Sequence, residues 1–417
     1  MSFLLQYYNI STKKQELKII TLSPPSINPK FILGTLYIVI EDGKLSERAY
    51  WLAWSQISGV GPVLLQRLHQ HFGSLQAAWF VNSSELGAVE GFGLNTIQKV
   101  GKERANFNKT NHPEEFLAKH LKENPNFWTP VDDEYPRLLM ETASPPPILY
   151  YCGTVELEEN LGQKGLIGIV GTRQPSEYGV RWTRQISTAL AKNGFTVVSG
   201  MAEGIDSESH VAALKADGRT IAVFGTGVDV VYPAKNQKLY QQILKQGMVV
   251  SEFNSKTPPD RTHFPRRNRI IAGLCRAVLV LEAPIKSGAL ITADYANEFG
   301  RDVYALPGRV DDYNSQGCLK LIAQGATPIP SELDELIKML GAIPQFDSIP
   351  AKPVQTALPQ LEPELQKVIE TVSMDSTAFD AIIQQTGMAP GLVSSALLQL
   401  ELMGLIAQLP GMRYQRC

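Results

Sequence analysis

Leu166 to Gly200 reads LIGIVGTRQPSEYGVRWTRQISTALAKNGFTVVSG, and the fold turns on how this stretch is parsed. LIGIV is a short, unbroken apolar run, the signature of a strand buried on both faces. Gly171-Thr172-Arg173 interrupts it, and from about residue 179 to 193 the apolar positions recur at helical spacing. FTVVS is then a second buried strand. Strand, glycine turn, helix, strand is one parallel unit, since a parallel partner is reached only through a crossover.

The same alternation continues outward. TIAVF, GMVVS, AVLVLE and DVYAL read as further strands, with helices expected near 206–217, 236–246, 265–274 and 288–299. Six alternations of this kind predict an α/β fold, a Rossmann-like and mostly parallel sheet over residues 127–341. Residues 44–126 are helical. They carry two glycine turns that each feed an amphipathic helix, SGVGPVLLQRL (Ser58–Leu68) and EGFGLNTIQKV (Glu90–Val100), a helix-hairpin-helix or SAM-like pattern. SPPPILYYCG (Ser144–Gly153) is stiff and non-helical, and leads into the sheet. Residues 342–360 are a proline-rich linker. Residues 361–417 follow the outline of a winged helix: helix, helix, a turn at Gly387, helix, short hairpin. Residues 1–43 are an extension of unassigned role. Its apolar run FILGTLYIVI is about half the length needed to span a bilayer.

Composition narrows the partners. The chain has 417 residues, 44% hydrophobic and 19% charged, with a formal net charge of −2. A polyanion must therefore be met by a local patch, because the molecule as a whole is not basic. Cys152, Cys275, Cys318 and Cys417 are far apart and form no CxxC, so neither a metal cluster nor a disulfide framework is expected. A reducing cytoplasm fits, and no membrane role is expected.

In an open parallel sheet, ligands gather beyond the carboxyl ends of the strands. Gly171-Thr172-Arg173 follows the first strand and Ser199-Gly200 closes the second. Gly225-Thr226 follows the third, and Lys286-Ser287-Gly288 comes after AVLVLE. These are glycine and hydroxyl turns at helix starts, able to offer backbone N–H groups to phosphate oxygens. Next to them in the chain comes Arg261, then FPRRNRIIAGL (Phe264–Leu274), with Arg266, Arg267 and Arg269 near a helix N-terminus. Cations are disfavoured there by the helix dipole. A bound chain of anions would compensate both. The alternative left open is that some of these arginines pair with Glu252, Asp294 or Glu298. Phe264 either packs in the core or stacks on an unpaired base, and His263 is expected to be structural.

Enzyme signatures are missing from the sequence. GIVGTRQPSEYG has the wrong spacing for a dinucleotide fingerprint, and there is no GxSxG, HExxH or Walker lysine motif. Asp206 and His210 lie four apart on one helix and could form a hydrolytic pair. Asp206 as a helix N-cap is the preferred reading.

Taken in order, IVGTRQPSEYG, VVSGMAEGIDSESHVAAL, TIAVFGTGVDVVYPAKN, FPRRNRIIAGL, VLVLEAPIKSGALITADYANEFGRDVYALPG and SQGCLKLIAQGA resemble the signature blocks of the DprA/Smf family. The resemblance is dense over about Leu166–Ala326 and looser on either side. It implies a non-enzymatic domain, without cofactor, that binds and protects single-stranded DNA and helps load a RecA-type recombinase in natural transformation. It also implies a homodimer. The family's basic pocket maps onto Gly171, Thr172, Arg173, Ser199, Gly200, Gly225, Thr226, Arg261, Phe264, Arg266, Arg267, Asn268, Arg269, Lys286, Ser287 and Gly288. Asn268 would hold the arginines in register or touch a phosphate. Glu203 departs from the family pattern and would repel a phosphate, so its loop is not expected to touch DNA.

Two rival functions stay open at this point. One is a nucleotide phosphoribohydrolase of the lysine-decarboxylase-like group, which shares this layout but carries a PGGxGT turn that this chain lacks. The other is a duplex-binding regulator led by the winged helix. Residues 361–417 hold three basic and six acidic side chains, a net of −3. That balance favours protein contact over duplex binding.

Overall fold

The computed structural model describes residues 43–341, 363–373, 376–402, 405–409 and 411–416. The expected N-terminal extension, apart from its last residue, and the expected proline-rich linker lie outside the described residues.

The helical region comprises α1 (Gly43–Ser55), α2 (Pro62–Phe72), α3 (Leu75–Phe80), α4 (Leu94–Thr110) and α5 (Pro113–Glu123). Gly61 and Gly93 are the N-caps of α2 and α4, so both glycine turns do feed helices. Its core is aromatic. Trp54 and Trp79 meet edge-on at 5.2 Å, and buried Trp51, Leu65 and Leu68 pack around them.

Nine strands form one sheet: β1 (Phe127–Trp128), β2 (Leu149–Gly153), β3 (Leu166–Val170), β4 (Thr196–Ser199), β5 (Thr220–Phe224), β6 (Met248–Ser251), β7 (Ala277–Val280), β8 (Asp302–Ala305) and β9 (Thr327–Pro328). Their order is β1-β2-β6-β5-β4-β3-β7-β8-β9. From β6 to β9 every pair is parallel, and β2 runs antiparallel to β6. All six expected strands are present. The part of SPPPILYYCG read only as stiff and non-helical contains β2, and Tyr150 of β2, Ile148 just before it and Phe127 of the paired β1 join the core of the helical region.

Between and after the strands come α6 (Arg137–Met140), α7 (Leu157–Asn160), α8 (Glu177–Lys192), α9 (Ile205–Lys215), α10 (Gln237–Gln246), α11 (His263–Leu274), α12 (Gly288–Glu298), α13 (Gln316–Ala323) and α14 (Leu333–Leu340). Alternation along the strands divides the sheet into two faces. Leu166 and Val170 pack with Ile270, Ile271 and Leu274 of α11 and with Ala289, Ala293 and Ala296 of α12. Ile167 and Ile169 pack with Ile186 and Leu190 of α8 and Ala213 of α9. Strand order reverses between β3 and its two neighbours β4 and β7, which is where an open α/β sheet has its ligand crevice.

The C-terminal unit has α15 (Pro363–Thr371), α16 (Phe379–Thr386), α17 (Pro390–Leu402) and an antiparallel sheet of β10 (Thr377–Ala378), β11 (Ile406–Leu409) and β12 (Arg413–Arg416), ordered β10-β12-β11. This is a winged helix with its own core around Val368, Ile382, Val393 and Leu400.

Candidate nucleic-acid interface

A cavity of about 670 Å³ opens at the β3/β7 reversal. Gly171, Thr172 and Arg173 form one wall, following β3. Lys286, Ser287 and Gly288 form the opposite wall, at the start of α12. Arg261, just before α11, and Phe264, Arg267 and Asn268 on α11 lie between them. The charged residues lining it are Arg173, Arg261, Arg267 and Lys286 against Asp206, an excess of three positive charges. Among the described residues, no carboxylate lies within ion-pair distance of Arg173, Arg261 or Lys286, and all three are exposed. Such cations in a concave site focus a positive potential outward.

Each wall is held by an identifiable contact. The amide of Thr172 donates to the Glu282 carbonyl at 2.7 Å. The buried Glu282 carboxylate accepts from the Ser176 amide at 2.9 Å and from the Ser176 hydroxyl, fixing the start of α8. On the other wall the Ser287 hydroxyl caps α12 by accepting from Ala289 N at 3.2 Å. No atom lies within 4 Å of where a side chain on Gly288 would begin, so that helix end faces open space. Asn268 links the two sides. Its amide donates to the Gly288 carbonyl at 3.1 Å, and its oxygen accepts from Arg267 Nε at 3.2 Å. Of the arginines it was expected to hold in register, Asn268 bonds Arg267 alone.

The three arginines of FPRRNRIIAGL do not form a row. The helix begins at His263, two residues earlier than expected, so the arginines stand in its second turn. Arg266 and Arg269, three apart, share a side of α11 and both donate to one oxygen of buried Glu252, at 2.8 and 2.6 Å. Compensation by a bound anion is therefore not what makes these two tolerable. An internal carboxylate does that work. Arg267 projects about 100° away round the helix and is 5% exposed. It donates to the carbonyls of Gly200, at 2.5 Å, and Val223. A side-chain carbon on Gly200 would sit 2.5 Å from the guanidinium, so a larger residue there would displace Arg267 from these carbonyls. Burial pushes the Arg267 guanidinium down to about 10, with Asp206 opposing, so it stays charged beneath the cavity.

Asp206 is not the N-cap of its helix. Gly204, at φ +78°, holds that position, where a side chain would strike the Thr172 carbonyl at 2.4 Å. The Asp206 carboxylate instead reaches back to the amides of Gly200 and Ala202, at 3.2 and 3.3 Å, and its burial raises its pKa while Arg267 lowers it. His210 is fully buried and its Nδ1 lies 2.6 Å from Thr220 Oγ1. The Thr220 proton goes to the Val197 carbonyl, so Nδ1 is the donor and Nε2 is left bare, without a partner. A hydrolytic Asp206–His210 pair is not assembled.

Several expected residues serve the walls from behind. The Ser199 hydroxyl donates to Ile169 O at 2.6 Å, and Thr226 donates to Val230 O at 2.6 Å. Gly225 lets the Phe264 ring approach to 2.9 Å from where its own side chain would start. His263 bonds the Gly225 carbonyl at 3.1 Å and stacks on Phe253 at 4.0 Å, as a structural residue would.

The residue missed was Tyr232. It is 44% exposed, lines the cavity, and lies 5.4 Å from the Phe264 ring at 31°. An aromatic beside a proline in a polar loop, VYPAKN, was the available signal. A side cavity of about 220 Å³ continues past this ring pair, bounded by Arg173, Gln174, Gly200 and Glu203. Glu203 carries its own counter-ion, Lys235, at 2.8 Å.

Comparison with known proteins follows the same lines. Residues 126–341 match the family described as DNA recombination-mediator protein A, and residues 351–412 match the DprA winged helix domain. Protein Smf of Synechocystis sp. is 50% identical over 399 residues, covering 89% of this chain and 99% of that protein. The X-ray structure of DNA processing protein A from Streptococcus pneumoniae is 34% identical, covers 70% of this chain and 97% of that one, and superposes with a TM-score of 0.60. The DNA processing protein A of Helicobacter pylori, solved for its single-stranded DNA binding mode, is 29% identical over 51% of this chain and 95% of its own, with a TM-score of 0.46.

Proposed function

The chain belongs to the DprA/Smf family of DNA recombination mediators, and from that premise we propose that the cavity at the strand reversal grips the backbone of single-stranded DNA. The observation that carries this reading is the excess of three positive charges beside an aromatic pair, Phe264 and Tyr232, in one open cavity. Phosphates would lie between the Gly171–Arg173 turn and the Lys286–Gly288 turn, met by backbone N–H groups and by Arg173, Arg261 and Lys286. An unpaired base can turn in and stack against Phe264 and Tyr232. A duplex, with its bases already stacked on each other, offers no such face.

A phosphoribohydrolase needs a carboxylate or nucleophile poised in the cavity. Asp206 is the carboxylate that lines it; it is buried beside Arg267, and one of its oxygens accepts from the amides of Gly200 and Ala202. Glu282 is engaged by Ser176. The binding reading therefore stands ahead of the enzyme.

In this role the protein would work in the cytoplasm as a homodimer, protect incoming single strands and hand them to a RecA-type recombinase. The acidic winged helix fits a protein contact better than duplex binding. Family membership supports these roles, and recombinase filament growth on single strands, with and without the protein, tests the hand-over. For the cavity itself, the test is binding of labelled single-stranded and duplex oligonucleotides over a salt series. Tight single-strand binding with a log–log slope of about −0.7 per phosphate neutralised is expected. Release of free base from nucleoside monophosphates would favour the enzyme instead.

A further inference from the structure

The side cavity of about 220 Å³ opens off the first, and Arg173, Tyr232 and Phe264 line both. The loop after β4 adds Glu203 to its lining. A carboxylate is out of place on a path for phosphates, yet this loop is built to hold it still. On one side the Ile205 amide donates to the Thr172 carbonyl at 3.2 Å. Gly204 lies so close that a side chain there would begin 2.4 Å from the same carbonyl. On the other side the loop is tied to the segment after Tyr232. The Asn236 side chain donates to the Met201 carbonyl at 2.9 Å, and Lys235 meets one Glu203 oxygen at 2.8 Å. Glu203, Arg173 and the ring pair are thereby held in fixed relation around one cavity.

The side chain of Glu203 is 44% exposed, and among the described residues nothing donates to its other oxygen. Arg173 is exposed and has no ion pair among those residues. The cavity therefore offers a flat aromatic surface, a cation with forked N–H donors, and a carboxylate that only accepts. Guanine answers all of them. Its O6 and N7 are the acceptor pair that an arginine bonds bidentately. Its N1–H and N2–H are adjacent donors, which a carboxylate accepts side by side. Thymine has one N–H set between two carbonyls. Adenine and cytosine would turn a bare ring nitrogen to the carboxylate beside their amino groups.

We infer that the side cavity is a guanine subsite: the base that stacks on Phe264 and Tyr232 is read by Arg173 at O6 and N7 and by Glu203 at N1–H and N2–H. The inference rests on the proposed reading of the first cavity. It adds a base preference to a grip whose phosphate contacts carry no sequence information.

The test uses the full-length protein and strands of about sixteen nucleotides. One is thymidine throughout, one carries spaced guanines, and one carries inosines at the same positions, which lack the N2 amino group. The parent should bind the guanine strand about five-fold or more tighter than the thymidine strand, with inosine between them. The log–log salt plots of the three should run parallel, because contacts to bases release no counterions. Glu203→Ala should melt like the parent, stop distinguishing guanine from inosine, and bind the thymidine strand at least as tightly. Glu203→Gln, which keeps the shape and one acceptor, should retain part of the preference. If the parent binds all three strands equally while Arg173→Ala/Lys286→Ala loses binding, the guanine subsite is refuted and the first cavity stands. If the parent binds no strand, the first cavity fails and this inference with it. A full guanine preference in Glu203→Ala would overturn the role of Glu203. Guanosine monophosphate binding as tightly as the guanine strand would make this a free-nucleotide site and overturn the inference as well.

Discussion

Arg266, Arg267 and Arg269 look alike in sequence and have separate fates in the fold. Helical geometry already places the first and third on one side and the second on another. The sequence could not say which side meets Glu252, because that contact exists only once β6 is laid beside β5. Arg267 is a structural cation. Replacing it with alanine strands Asp206 and two carbonyls in a dry site, and should cost about 3–5 kcal/mol in denaturant melts. Arg173 and Lys286 are exposed. Their alanine variants should melt like the parent, bind every single-stranded sequence more weakly, and each lose about 0.7 from the salt slope. Phe264→Ala and Tyr232→Ala should each cost about 1–3 kcal/mol in binding if a base stacks there. Abasic oligonucleotides should not register either change.

The elements of the sheet were legible because each buried strand is an unbroken apolar run between glycine turns, and α8 to α12 fall within two residues of where periodicity put them. β1, β2 and β9 were not. β1 and β9 are two-residue edge strands, and β2, between β1 and β6, follows a run of prolines; their pairing is settled by what packs against them, and apolar pattern carries little of that. In the cavity, the turns and Phe264 could be read from sequence, whereas Tyr232, an exposed loop aromatic, has no period to mark it and only its neighbouring proline as a signal. Within α9, His210 makes a prediction about pH. Burial lowers its pKa from 6.5 to about 3, so the unfolded chain takes up the proton first. Its stabilising contribution is complete above the ordinary histidine value and declines as pH falls toward 3, by about 1.4 kcal/mol per unit. Asp206, raised by burial, acts in the opposite sense lower in that range. Urea midpoints from pH 7 to 5 should drop in the parent and flatten in His210→Gln.

For the whole molecule, the formal charge of −2 conceals a division of labour. Positive potential is concentrated where the strand order reverses, and the winged helix region carries an excess of acid. No helix among the described residues is long and apolar enough to cross a membrane. A chain arranged this way should bind a polyanion where that positive potential is concentrated, with strong salt dependence. The most direct measurement is the affinity of the parent and of the double variant Arg173→Ala/Lys286→Ala for one single-stranded oligonucleotide and its duplex, across a salt series. The account predicts that the parent prefers the single strand, and that the double variant loses both that preference and about 1.4 units of slope while melting normally. An unchanged slope in a normally folded double variant, or a parent that prefers duplex, would contradict it.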